Sequence, residues 1–310
     1  MSLIINAVLP VFGLIGIGYA SARRGLLGQG AVDSLNLFVV WLALPALLFQ
    51  AMAQITWEQV NQVGYVAAST LAIAVVFATS MVLNRKRPRR LADTSLEGLA
   101  ASYSNAGYMG IPLCVMVFGE ASLPAVILAM LLTACFLFAF AIVLIEIDLQ
   151  GSGNMLRTTR KVAVSLMRNP LVSAPTLGVI VAASQVPLPH VVLELTSLLG
   201  AAASPCALVT IGLFLAHQPG GAPHGAVWRI VSLKLILHPL VTFVLVRWVF
   251  EMPLLWANTA ILLAALPVGT GPFMLAKLYE REPAITSRAI LFSTVVSLLT
   301  VSLLVGVLGS

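Results

Sequence analysis

Read as apolar and polar positions, the chain is a series of long apolar blocks separated by short polar punctuation. Ten blocks stand out, at residues 3–20, 33–53, 63–83, 96–118, 121–146, 170–185, 191–216, 226–250, 255–278 and 284–308. Most match or exceed the roughly 20 residues a helix needs to cross a hydrocarbon core. The block at 170–185 is short and carries Pro175. The pattern predicts an all-α polytopic membrane protein with ten transmembrane helices. Composition agrees: 60% of residues are hydrophobic and 9% are charged, against about 25% charged in a soluble domain. The first block lacks a basic leader and a small-residue cleavage pattern, so it is expected to be a retained span.

The ninth and fourth blocks are not plain apolar helices. "SYSNAGYMGIPL" (102–113) sets serines, an asparagine, two glycines and a proline inside block 4, and "LPVGTGP" (266–272) does the same in block 9. Pro45 and Pro112 are 67 residues apart, and so are Pro205 and Pro272. Pro10 followed by Gly13 in block 1 is echoed by Pro175 and Gly178 in block 6. The ten spans therefore divide into two five-helix repeats, 1–148 and 170–310, joined by a short cytoplasmic linker at 149–169. An odd number of spans per repeat inverts the second copy. Inverted repeats whose spans are interrupted at corresponding places point to a secondary transporter. Backbone that is not helical at that depth must be buried in protein or line a wet cavity, so helices 4 and 9 are expected to be broken rather than kinked.

Charge sets the orientation. Of the 17 lysines and arginines, 15 fall in or beside the connections after blocks 1, 3, 5, 7 and 9; Arg247 lies on the other side and Lys234 inside block 8. An excess of basic residues marks the cytoplasmic face, which places both termini on the non-cytoplasmic side. The net charge of +6 is thereby read as a topology signal. Nucleic-acid binding would need a basic face interleaved with aromatics, and no such stretch occurs.

A broken helix presents backbone N–H groups at the start of its second half, where partial positive charge favours an anion. Ser102, Ser104, Asn105 and Thr270 add short hydrogen-bonding side chains; Gly107, Gly110, Gly269 and Gly271 permit close approach of a ligand or of the other broken helix. Lys234 and His238, four residues apart in block 8, share one helix face. Charges within a span are functional candidates, although a lysine two turns from a helix end can also snorkel, and His238 before Pro239 can bond a freed carbonyl. The carboxylates all fall in loops or towards the span ends, so neither a midplane carboxylate relay nor a carboxylate-rich Na⁺ site is expected. This polarity suits an organic anion, while carbonyls at the half-helix ends leave a cation cage open.

Other motifs carry less. "GLIGIG" (13–18) lacks the strand and acid of a dinucleotide fingerprint and reads as a small-residue packing face. No phosphate-binding G-x-x-x-x-G-K-[ST] occurs, which argues against ATP-driven pumping by this chain. Cys114, Cys135 and Cys206 lie in apolar blocks and read as packing residues. His217 and His224 flank a loop and are not expected to bind metal. No nucleophile–His–Asp set is visible, so no enzyme, cofactor or metal is expected.

"LNLFVVWLALPALLF" (35–49), "SNAGYMGIPL" (104–113), "LGAAASPCALVTIGLFLA" (199–216) and "LKLILHPL" (233–240) resemble the auxin efflux carrier family along essentially the whole chain. The chain looks like one of the family's short bacterial members, which include malonate and malate permeases. The resemblance implies broken helices 4 and 9 crossing near the midplane, and a scaffold of helices 1, 2, 6 and 7. It implies a moving transport domain of helices 3–5 and 8–10, an elevator-type cycle for a carboxylate, and a homodimer in the bacterial inner membrane. By position, Asn105, Gly107, Gly110 and Pro112 match the first crossover and Pro267, Gly269, Gly271 and Pro272 the second; the second has no asparagine beside its proline. The expected substrate site is Ser104, Asn105, Gly107, Gly110, Pro112, Lys234, His238, Gly269, Thr270 and Gly271. The function expected is secondary transport of small organic anions, with coupling to a proton or Na⁺ left open. The alternatives are a sodium-coupled symporter of the bile-acid type and a non-transporting membrane sensor or channel.

Overall fold

The computed structural model describes residues 2–56, 61–85, 90–150, 164, 167–185, 187–217 and 224–308. Most of the expected linker at 149–169, residues 151–163, 165 and 166, lies outside the described residues. Those residues form helices and one isolated two-residue bridge, with no strand among them. Twelve helices follow in order: α1 (Ser2–Arg23), α2 (Gly30–Ala53), α3 (Val63–Asn84), α4 (Leu91–Ser102), α5 (Ala106–Phe118), α6 (Glu120–Leu149), α7 (Pro170–Ser184), α8 (His190–Ala216), α9 (Gly225–Val249), α10 (Leu254–Ala265), α11 (Gly271–Leu278) and α12 (Pro283–Leu308). Six of them, α2, α3, α6, α8, α9 and α12, are long and apolar enough to cross a membrane, and α5, α7 and α10 are shorter apolar helices.

Local sequence sets several helix ends. Asn169 accepts a hydrogen bond from the Leu171 N–H at 3.0 Å, with Pro170 in the first turn of α7. That combination satisfies an orphan donor and supplies a preset φ. Pro175 sits within α7 without ending it. Pro45 also leaves its helix continuous: the residues before it, Val39–Ala43, widen into a π-helical turn and α-helix resumes at Leu44. Such turns often mark functional segments. Others fall at Ala106–Gly110, directly after the first break, and at Leu233–Leu237, which holds Lys234.

Two helix pairs pack closely. The second half of α8 lies along α1, and α7 lies along α2. Gly212 sits against the backbone of Ile15 and Tyr19, and Gly18 against the Val209 carbonyl, so a Cβ at either position would overlap the partner helix. Gly178 of α7 faces the Phe49 carbonyl, where a Cβ would stand 2.6 Å away. Without water to expel, helices in lipid associate by van der Waals contact, and small residues bring backbones together. The segment 13–18 read as a packing face thus supplies one such contact through Gly18; Gly13 and Gly16 face open space. Among the remaining helices, α4, α6 and the turn between α11 and α12 are tied by polar bonds near the α4 start. Arg281 holds Asp93 through two bonds of 2.8 and 2.7 Å, Asp148 accepts from the Ala92 N–H, and Tyr279 donates to Glu146 at 2.7 Å.

Candidate functional site

Helix α4 stops at Ser102 and α5 begins at Ala106; α10 stops at Ala265 and α11 begins at Gly271. The two gaps lie against each other. Ser104 and Val268 form an antiparallel bridge, the Asn105 N–H donates to the Pro267 carbonyl and the Gly269 N–H to the Tyr103 carbonyl, each at 3.0 Å. The Val268 N–H donates to Ser293 Oγ of α12, also at 3.0 Å. Buried backbone polar groups must be paired, and here each broken helix supplies partners for the other.

The break in the first segment falls earlier than the glycines suggested. Tyr103–Asn105 leave helical geometry, whereas Gly107, Gly110 and Pro112 lie inside α5. The glycines serve the contact between the two broken helices. A Cβ on Gly110 would meet Leu263 at 2.7 Å, and Cβ atoms on Gly269 and Gly271 would each meet the Tyr103 ring at 2.8 Å. Tyr103, unremarked in the sequence, is thus the wedge at the crossing. Gly107 has only Met130 Sδ within reach of an added Cβ, at 3.4 Å.

Asn105 is 4% exposed, and its Nδ2 is a buried donor with no partner. A buried amide left without a bond costs about 1–3 kcal/mol. It sits where α5 begins, beside N–H groups that the helix cannot satisfy itself. An acceptor or anion placed there would satisfy both.

Lys234 is fully buried, so it does not snorkel. Its Nζ donates to the Ala264 carbonyl in the last turn of α10 and lies 3.2 Å from His238 Nδ1. A cation at a helix C-terminus meets the negative end of the macrodipole, so Lys234 caps the broken helix. Pro239 frees the carbonyl one turn back, at Leu235, but the bond the His238 ring makes is the one to Lys234 Nζ.

Among the described residues, three cavities are lined by the broken segments or the helices beside them. Ser104 and His238, with Tyr65, Ser69, Thr133 and Thr242, line a space of about 30 Å³, room for about one water. Thr270 lines a cavity of about 430 Å³ between α2, α8 and α11, with Asp33, Asn36, Tyr108, Thr210 and Lys277. Pro112 lines one of about 520 Å³ between α2, α8 and α5, with Gln50, Gln54, Glu120, Ser197 and Ser204. The expected site residues are therefore divided: Ser104 and His238 face the small cavity, Thr270 and Pro112 the two large ones, and Lys234 caps α10.

Two polar pairs escaped the sequence reading. Glu97, one of the carboxylates read as lying towards a span end, is 2% exposed and accepts from Arg229 Nη2 of α9 and from Asn84 Nδ2 of α3. Tyr108 of α5 donates to Asn36 Oδ1 of α2 at 2.6 Å. Partners 132 and 72 residues apart leave no local signal; a lone acid within a span was the available hint for Glu97. At the rim, the Asp93 carboxylate raises the Arg281 guanidinium pKa above its usual value, chiefly by hydrogen bonding.

The profile of a family described as membrane transport protein matches residues 3–305. A protein of Rhizobium meliloti named "Putative malonate transporter" is 31% identical, over 97% of this chain and 95% of its own length. The Arabidopsis thaliana auxin efflux carrier component 8 is 23% identical, over 96% of this chain and 95% of its own. An "Uncharacterized transporter" of Methanocaldococcus jannaschii is 23% identical over 96% of each chain.

Proposed function

The chain belongs to the membrane transport protein family, and from that premise we propose that it is a secondary transporter of small organic anions, carboxylates first, working by elevator-type alternating access. The family and the relatives are transporters rather than enzymes, and the chain is a multi-pass membrane protein. In this reading α4–α5 and α10–α11 each make one interrupted passage, which gives ten passages in two inverted repeats of five. In the same reading, with the basic connections taken as cytoplasmic, both termini lie outside the cytoplasm, the 430 Å³ cavity opens inward and the 520 Å³ cavity outward.

The observation that carries the reading is the reciprocal hydrogen bonding of two broken helices beside the unpartnered amide of Asn105. Donors gathered at helix starts in a low-dielectric setting suit a carboxylate. The division of labour has its own support. Helices α1, α2, α7 and α8 are held backbone to backbone by glycines, as a scaffold requires. The ion pairs Arg281–Asp93 and Arg229–Glu97 and the bond from Tyr65 to the Ala125 carbonyl all lie within α3–α6 and α9–α12, so that group can move as one body. The name of the Rhizobium relative makes malonate the first probe.

The test uses the purified protein in proteoliposomes. Labelled malonate should accumulate saturably, and unlabelled malonate preloaded inside should accelerate its entry. Detergent-solubilised protein should melt at a higher temperature with malonate present, because a ligand bound to the folded state alone stabilises it. Uptake that rises linearly with concentration, without counterflow, contradicts a carrier cycle. Repeating the uptake with and without a Na⁺ gradient, and with and without a pH gradient, identifies the coupling ion.

A further inference from the structure

We propose that Asn36 is a substrate-recognition residue, held in its working orientation by Tyr108, and that it gives the site a preference for dicarboxylates over monocarboxylates. The inference rests on the carboxylate-transport reading and goes beyond it by naming the residue that reads the second carboxylate.

Asn36 lies on α2 and lines the 430 Å³ cavity. Its Oδ1 accepts the Tyr108 hydroxyl hydrogen at 2.6 Å. An amide oxygen occupied in this way turns the NH₂ group to the far side of a planar unit, and Nδ2 has no partner among the described residues. Nδ2 is a double donor with no acceptor role, and Asn36 is half-buried against the cavity, so Nδ2 is available to an acceptor there. Thr270, the residue that precedes α11 at the crossing, lines the same cavity. One carboxylate at the crossing therefore leaves a second, on a short linker, within the cavity that Asn36 faces.

The charges around the cavity mouth agree with a recognition role for a neutral donor. Lys277 of α11 and Asp33 of α2 both line the cavity. Asp33 is one turn before Asn36, towards the start of α2, and Lys277 is in the last turn of α11, so both charges are at the mouth. Asp33 and Lys277 carry opposite signs, so the lining has no net charge, and the fixed amide adds a donor that is independent of it. Thr210 is also present, but its hydroxyl hydrogen is committed to the Cys206 carbonyl at 2.7 Å. Tyr108 acts through Asn36 and is a positioning residue.

The experiment measures inhibition of labelled malonate uptake in proteoliposomes by unlabelled malonate and by acetate, for wild type, Asn36→Ala and Tyr108→Phe. Asn36→Ala should raise the half-inhibiting concentration of malonate about tenfold, the loss expected for one hydrogen bond to a charged group, and leave that of acetate within about twofold. Tyr108→Phe keeps the amide but frees it to rotate. It should move the malonate-to-acetate ratio in the same direction by a smaller factor, with only the small fall in ligand-free melting temperature that loss of one hydrogen bond brings. A ratio unchanged in both variants while uptake persists overturns the inference alone. Should Asn36→Ala fail to fold, Tyr108→Phe decides by the same ratio. Wild-type protein that takes up no carboxylate overturns the functional reading, and this inference with it.

Discussion

Proteoliposomes carrying Asn105→Ala are expected to take up malonate at least about tenfold and up to about a hundredfold more slowly than wild type, with no loss of thermal stability. The two halves of that result have one cause. The Asn105 Nδ2 group is buried and unpartnered, so in the empty protein it is a destabilising donor; bound to a carboxylate it becomes a charge-assisted one, worth about 1.5–3 kcal/mol. Removing it costs binding and relieves the empty state, and a destabilised functional site is the usual setting for such a trade. Asn105→Asp should be worse for transport than Asn105→Ala, since it sets a carboxylate against an anion. Uptake by Asn105→Ala at the wild-type rate removes Asn105 from the site. A steep fall in melting temperature would make it a structural residue instead.

The second large effect concerns stability. Glu97→Gln alone, or Arg229→Gln alone, is expected to destabilise the protein by about 3–5 kcal/mol, because each leaves the partner's charge buried and uncompensated. The double variant Glu97→Gln/Arg229→Gln should recover most of that loss, since neither charge then remains. The pair joins α4 to α9 with little solvent contact: its side chains are 3% and 10% exposed. The Arg281–Asp93 pair, at 24% and 11%, is nearer the surface, and its removal should cost less, towards the 1 kcal/mol or below of solvated pairs. Urea or thermal unfolding of the four proteins forms a double-mutant cycle. Additive losses in the double variant contradict the assignment of Glu97 and Arg229 as one compensated unit.

The membrane character was legible because length and hydropathy register the solvent directly. So was the existence of both interruptions, because glycine and proline in an apolar run have few structural uses. Their exact form was not. The glycines of 107–110 looked like the break, yet a π-helical turn absorbs them. Their neighbourhood shows why Gly110 is needed: Leu263 of the other broken helix fills the space a side chain would take. The chain leaves helical geometry at Tyr103–Asn105, where the second interrupted segment supplies the missing hydrogen bonds. Lys234 was legible as an intramembrane charge but not as the cap of Ala264, since that carbonyl is 30 residues on and freed by a break whose end the pattern does not fix. Glu97 was assigned by its place in the span, and a helix that turns its acid inward to meet Arg229 gives no local sign of doing so. Pairwise chemistry across helices is set by packing, which periodicity reports only as a buried face.

The most direct measurement is an experimental density map of the protein with malonate bound. A carboxylate is expected between the start of α5 and the start of α11, within hydrogen-bonding distance of Asn105 Nδ2, with the Asn105–Pro267 and Gly269–Tyr103 bonds intact. Malonate found away from the crossing, or either helix running unbroken through it, would contradict the account.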